Sequence, residues 1–265
     1  MKRRLFLVSL FVFAGIAVIV VVATAQFFPT ARRVQIAISW QYVFLAVVVV
    51  MGALSFLRKF RHRMLWEILF TLTLFLGVWY AFLLVLPVGW ALAIASACTL
   101  AEIFFRNVFV HNLFYAIGAA GVAINFAGWL PSDVLLVGLV AFTVYDMVAG
   151  PPGGPIQSFA ADLIQKGIIP GAVIPLHARD LTANVDDVVR RDATFLGAGD
   201  LILPLCLVAR ASFRGVGPAV LVLSGLVIGA FLLGRSNDLH PRAALPALAV
   251  GAAIPFLVLR IFSLV

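Results

Sequence analysis

The chain has 265 residues, 64% of them hydrophobic and only 11% charged, with a mean hydropathy of +1.14. A water-soluble domain is nearer half apolar and a quarter charged, so an ordinary soluble globule is excluded and lipid is the main solvent. The net charge of +8 would suit a nucleic-acid binder, but the basic residues sit between apolar runs, where they act as a topology signal instead.

In lipid every backbone polar group must be satisfied internally, which predicts an all-α, polytopic membrane protein. Runs long enough to span occur at about 5–25, 34–57, 65–86, 88–105, 113–130, 132–150, 194–212, 216–234 and 243–263, nine in all. Lys2, Arg3 and Arg4 precede the first, and Ala23-Thr24-Ala25 resembles a signal-peptidase site. That apolar run is about 18 residues, longer than the core of a signal peptide, which favours an uncleaved anchor over a removed leader. Little more than Pro87 separates the third and fourth runs. Pro131-Ser132-Asp133 splits the fifth from the sixth, a helix stop followed by a helix start. No internal repeat is evident, which argues against a transporter built from inverted halves.

Orientation follows from lysine and arginine placement. With a cytoplasmic N-terminus, fourteen of the nineteen basic residues fall on inside segments, and only Arg32, Arg33, Arg210, Arg214 and Arg260 fall outside. The expectation is N-terminus in, C-terminus out, with the long connection 151–193 in the cytoplasm. That loop opens on Pro151-Pro152-Gly153-Gly154-Pro155, which cannot continue a helix. Ile156, Phe159, Ala160, Leu163 and Ile164 then line one face of a short helix ending at Gly167, placed on the membrane surface or against the bundle. Ile168 to Pro175 reads as an extended, edge-like segment. Asp162, Asp180, Asp186, Asp187 and Asp192 belong to a solvated loop.

Two acids lie inside apolar runs, at a cost of about 2.5–3.5 kcal/mol each near mid-membrane. Asp146 sits in Ala141–Val148, about four residues, or about 6 Å, from the inner end of the sixth run. Asp200 follows Gly197-Ala198-Gly199, about six residues, or about 9 Å, into the seventh. The two acids therefore reach similar depth on helices joined by one loop. Gly197 and Gly199 read as clearance that lets another backbone approach. Pro246, in Leu245-Pro246-Ala247-Leu248, lies at the same level in the ninth run, where it would free a backbone carbonyl beside a wet cavity. Two carboxylates at close range tend to share one proton. The ionised one can take a proton from water while the protonated one donates to a carbonyl, which is peptide hydrolysis without metal or covalent intermediate. A substrate helix must unwind first, and Ile168–Ile174 or Leu245–Leu248 could hold the opened segment as a strand.

Other chemistries are poorly supported. Cys98 and Cys206 fall in apolar runs and read as packing residues. His62, His111, His177 and His240 are scattered and no HExxH occurs, so no metal or other cofactor is expected. Ser224 has no GxSG frame. Glu67 and Glu102 read as structural, near helix ends where they reach the interface or pair with Arg63 or Arg106.

Tyr145-Asp146, Gly197-Ala198-Gly199-Asp200 and Pro246-Ala247-Leu248 together resemble the YD, GxGD and PAL motifs of the presenilin / signal peptide peptidase family. That family comprises nine-helix intramembrane aspartyl proteases, with the motifs on the sixth, seventh and ninth helices. The resemblance is specific over about 141–255 and matches the first five helices only in number and hydropathy. It implies Asp146 and Asp200 as the catalytic pair, and Tyr145, Gly197, Ala198, Gly199, Pro246, Ala247 and Leu248 as motif and substrate-positioning residues. It implies a single membrane domain over 1–265, with helices one to five (1–131) as scaffold and six to nine (132–265) as the catalytic part. The N-in orientation, small size and short loop resemble a microbial presenilin homologue in a prokaryotic plasma membrane. Its expected substrates are transmembrane segments of single-span proteins or signal peptides, with membrane lipid around it, no nucleic acid and no obligatory partner subunit. Two alternatives are a proton-coupled transporter using both acids as relay groups and a prepilin-peptidase-like GxGD protease, which has fewer helices and no PAL element.

Overall fold

The structure is a computed structural model that describes residues 63–150, 154–175, 177–192, 194–235 and 244–262, together with Gly15. The first two apolar runs and the expected N-terminal anchor otherwise lie outside the described residues. Each of the other seven runs contains a helix. These are α1 (Arg63–Leu83), α2 (Val88–Phe104), α3 (Val108–Trp129), α4 (Ser132–Ala149), α7 (Ala198–Ser212), α8 (Val216–Arg235) and α9 (Leu245–Ile261). The connection from α4 to α7 carries α5 (Pro155–Gln165), β1 (Gly171–Ile174), a 3-10 turn (Ala178–Thr182), α6 (Val185–Asp192) and β2 (Thr194–Gly197). Among the described residues, four helices are long and apolar enough to cross a membrane: α1, α3, α4 and Val216–Leu233 of α8. Helices α2 and α9 are apolar but shorter.

The bundle is built around α7, which packs against α3, α4, α8 and α9. Leu201, Leu205, Cys206, Leu207, Val208, Ala209 and Ala211 are all buried. A helix that is apolar on every side belongs in the interior. The helices around it show outward apolar faces instead, such as Val137, Val140, Val144 and Val148 on α4, and Ile254, Leu257 and Ile261 on α9. Those faces suit lipid contact.

Lipid offers little hydrophobic drive between helices, so close backbone packing must hold them together. Glycine supplies it at two crossings. Gly77 of α1 lies against Gly118 and Gly121 of α3, and Gly225 and Gly229 of α8 lie against Gly251 and Ala247 of α9. At the end away from the acids, Arg260 of α9 pairs with Asp133 of α4. There too Arg210 of α7 donates to Ser132 Oγ and to the Ala127 carbonyl, both at 3.1 Å. Of the five arginines assigned to the outer side, Arg210 and Arg260 thus act as staples between helices.

Helix α3 begins five residues earlier than hydropathy suggests, because Asn107 caps it. The Asn107 Oδ1 accepts from the Val110 N–H at 2.8 Å, satisfying one of the free donors of the first turn. The same junction pairs with the loop, through Val108 N–H to the Ala183 carbonyl and Val185 N–H to the Arg106 carbonyl. Asn107→Ala is expected to lower unfolding stability in detergent by about 0.5–2 kcal/mol, the usual loss for an N-cap. Thermal unfolding of the purified variant measures it.

Three expectations need correction here. Residues 194–197 are not helical; they form β2, antiparallel to β1 with Gly171 opposite Gly197 and Ile174 opposite Thr194. Period and hydropathy cannot separate a short buried strand from a helix start, and Gly197 is extended at φ −64°, ψ 158°. The segment Leu245–Leu248 is the first turn of α9 rather than an edge strand. Pro246 therefore sits where its missing N–H is needed by no helical bond. Glu102 pairs with His111, at 2.7 Å, and not with an arginine. Arg106 instead donates to the Gly167 carbonyl and to Asp186, while Glu67 does pair with Arg63.

The expected helix after the proline stretch is α5. It ends with Gly167 in the left-handed region at φ +77°, as glycine past a helix end allows. It packs on α1: Leu163 is buried with Trp66, and Phe159 meets the Trp66 ring edge-on at 5.3 Å.

Candidate active site

The two intramembrane acids come together at one end of the bundle. Asp146 lies in the last turn of α4, three residues before Ala149. Asp200 is the third residue of α7, since that helix starts at Ala198. Helices α4 and α7 pack against each other, and the Asp146 carboxylate is within electrostatic range of Asp200. The two acids expected near each other from the sequence are within range of each other, although Asp200 is closer to its helix end than expected because β2 takes up residues 194–197.

Each carboxylate lies beside the N-terminus of a helix, where unpaired N–H groups favour anions. Asp200 turns back on its own helix, with Oδ2 accepting from the Gly197 N–H at 3.0 Å. Asp146 faces another helix: the backbone N–H of Leu245, the first residue of α9, is within electrostatic range of its carboxylate. Its Oδ2 is buried with no hydrogen-bond partner among the described residues. Backbone space around both acids is tight. A Cβ at Gly150 would come within 3.0 Å of Asp146 Oδ1, and one at Gly197 within 3.2 Å of Asp200 Oδ2.

The motif residues divide by position. Gly197 is the N-cap of α7 and lies beside the acid. Gly199 does not provide clearance: it is exposed, and a Cβ there would meet nothing within 4 Å. Ala198 faces an apolar cavity of about 360 Å³ between α1, α3, α5 and α7. Pro246 starts α9, Ala247 lies against Gly229 of α8, and Leu248 is fully buried. Together they seat the helix whose Leu245 amide faces Asp146. Tyr145 is 40% exposed, and Val144 and Val148 on the same helix are more exposed still.

Sequence reasoning missed the contribution of α3. Tyr115 is buried there within electrostatic range of Asp200. Asn112 clamps β1: its Nδ2 donates to the Val173 carbonyl at 2.7 Å, and its Oδ1 accepts from the Val173 N–H at 2.8 Å. His111 Nε2 lies 2.9 Å from the Gly171 carbonyl. Polar side chains at the edge of an apolar run were the available signal.

No protein-family model matches the sequence, and no curated protein does either. Solved structures do match, among them two of a presenilin family intramembrane aspartate protease that cover nearly all of the chain. One, in a P2 space group, gives a TM-score of 0.60 at 23% identity, over 95% of this chain and 96% of that one. The other, in a C222 space group, gives 0.56 at 23% identity, over 97% and 94%. The chain has the fold of a presenilin-family protease. Within that fold the three motif segments occupy the α4 end, the β2–α7 junction and the α9 start, and these three helices pack against one another.

Proposed function

We propose that the chain is an intramembrane aspartyl protease that hydrolyses peptide bonds of transmembrane segments with water activated by Asp146 and Asp200. One observation carries the proposal: two acids from separate apolar helices lie within range of each other, each against a helix N-terminus, in a presenilin-protease fold. One proton is shared by the pair. The ionised carboxylate removes a proton from water as the oxygen attacks the scissile carbonyl, and the protonated carboxyl donates to the carbonyl oxygen. Collapse of the tetrahedral intermediate breaks the C–N bond: the leaving nitrogen takes a proton from one carboxyl, and a hydroxyl of the intermediate returns one to the other carboxylate, which restores the shared proton. In this scheme the chain acts as one membrane domain over 1–265, oriented N-terminus in, with the loop 151–193 and both acids on the cytoplasmic side of a prokaryotic plasma membrane. Helices six to nine of the nine-helix scheme carry the catalysis and the first five the scaffold, although α3, the fifth, reaches the site through Tyr115. No obligatory partner subunit is needed.

A substrate helix must be opened before its bonds can be cut, and the ribbon suggests where the opened segment docks. The outer edge of β1 is taken: Asn112 holds both backbone groups of Val173, and His111 holds the Gly171 carbonyl. Phe195 lies opposite Val173. In an antiparallel ladder both members of such a pair direct their N–H and C=O groups away from each other. The Phe195 backbone therefore faces the open side of β2, two residues before Gly197, and an added strand would pair there. Phe195→Pro removes one donor on that edge and leaves the β1 pairing intact. Its expected effect is a KM for a single-span substrate raised about fivefold to tenfold, as for loss of one or two hydrogen bonds of about 1 kcal/mol, with unfolding stability little changed.

The protease and transporter readings separate in one experiment. Purified protein in detergent with a single-span substrate should cleave it, and the same protein in liposomes should show no solute or ion flux that depends on Asp146 and Asp200. Acid-dependent flux without cleavage would overturn the proposal.

A further inference from the structure

Helix α3 carries a buried polar cluster outside the three motifs. His111 is 3% exposed, with Nδ1 at 2.7 Å from Glu102 Oε1 and Nε2 at 2.9 Å from the Gly171 carbonyl oxygen. A carbonyl oxygen only accepts, so Nε2 carries a hydrogen. The Nδ1–Glu102 contact then holds a single proton between ring and carboxyl, and the pair is neutral as a whole whichever partner carries it. The rings of Phe70 and Tyr115 both stack on the imidazole, at centroid distances of 6.1 Å. Carboxylate and rings together fix the direction in which Nε2 donates, and second partners of this kind are how a histidine is aimed.

The target of that hydrogen bond is close to Asp200. Gly171 stands opposite Gly197 in the ribbon. A Cβ on Gly171 would meet the Leu196 carbonyl group and come within 3.2 Å of the Gly197 Cα. The preceding carbonyl, of Pro170, accepts from the Ala198 N–H at 3.3 Å. The Gly197 N–H in turn holds Asp200 Oδ2. From His111 the path to the acid is thus one hydrogen bond to β1, one backbone contact across the ribbon and one hydrogen bond to the carboxylate. Asn112 holds the same strand two residues further on, at Val173, so among the described residues His111 is the side chain that hydrogen-bonds the end beside Asp200. We propose that His111, aimed by Glu102, is a positioning residue of this site: its bond to the Gly171 carbonyl fixes β1 and, through it, the Gly197–Asp200 turn. The proposal rests on the protease reading for its kinetic consequence but not for its structural one.

The test uses the full chain in detergent, with a single-span peptide as substrate. His111→Ala should lower kcat at least tenfold with KM changed less than twofold. His111→Gln, whose amide can donate to the same carbonyl, should recover kcat to within about threefold of wild type, and Glu102→Ala should fall between them. Arg210→Ala, which removes two bonds at the opposite end of the bundle, is the control for lost stability and should leave kcat unchanged. Amide exchange over 194–200, measured on the same proteins by mass spectrometry, should be faster in His111→Ala than in wild type or His111→Gln, with α8 and α9 unchanged. Equal kcat for His111→Ala and His111→Gln, or unaltered exchange over 194–200, would overturn the positioning role. Absence of cleavage by the wild type would overturn the protease reading instead and leave the exchange result to decide the positioning role.

Discussion

Asp146→Asn and Asp200→Asn should each reduce cleavage by at least about 10³-fold, and the double variant should be no worse than either single one. General acid–base transfer by a positioned group contributes about 10²–10⁴-fold, and residues acting as one unit lose their effect together rather than additively. Asparagine keeps the volume and one acceptor oxygen. In Asp200→Asn that oxygen can still accept from the Gly197 N–H, so the fold is expected to survive. Steady-state cleavage assays on the three variants, with thermal unfolding run alongside, measure this. Additive losses would mean that the two acids act independently. Full activity in either single variant would remove that residue from the chemistry.

The largest stability effect is expected at the α8–α9 crossing. Gly251 lies where the two backbones touch: a Cβ there would meet the Gly225 carbonyl and come within 3.1 Å of the Gly229 Cα. Main chain of a packed helix cannot step aside as a flexible side chain can, so Gly251→Leu must separate the helices. Overpacking of this kind costs about 1–3 kcal/mol. Gly138→Ala is the control, since nothing lies within 4 Å of the Cβ added on α4; replacing glycine within a helix should stabilise slightly, by about 0.4–1 kcal/mol. Gly251→Leu should also depress cleavage beyond its effect on stability. Helix α9 brings the Leu245 N–H to Asp146, and moving the helix moves that donor. Gly251→Ala, with less bulk, should show the same two effects in weaker form.

Much of the fold was legible because lipid imposes simple rules. Length and hydropathy alone locate seven described helices, and Pro87, Pro131 and the Pro151–Pro155 stretch mark breaks where the chain does break. The acids were legible for the opposite reason: Asp146 and Asp200 are costly where they stand, and cost draws attention. What escaped was everything that depends on backbone pairing. Thr194-Phe195-Leu196-Gly197 is as apolar as the helix it leads into, and only pairing with Gly171–Ile174 makes it a strand. Gly197 and Gly199 look equivalent in GxGD, yet one crowds the carboxylate and the other faces open space. A proline within an apolar run suggests an unpaired carbonyl, whereas the place of Pro246 in the first turn of α9 makes it a compatible helix start. His111 read as one of four scattered histidines. Its partners lie nine positions before it, at Glu102, and sixty after it, at Gly171, a spacing that no local pattern announces.

The most direct measurement is the intact mass of a single-span substrate after incubation with the wild-type protein in liposomes. An intramembrane protease yields two fragments whose masses sum to the substrate plus one water, with the junction inside the apolar span. Recovery of the substrate at full mass, or a junction confined to its polar flanks, would contradict the assignment.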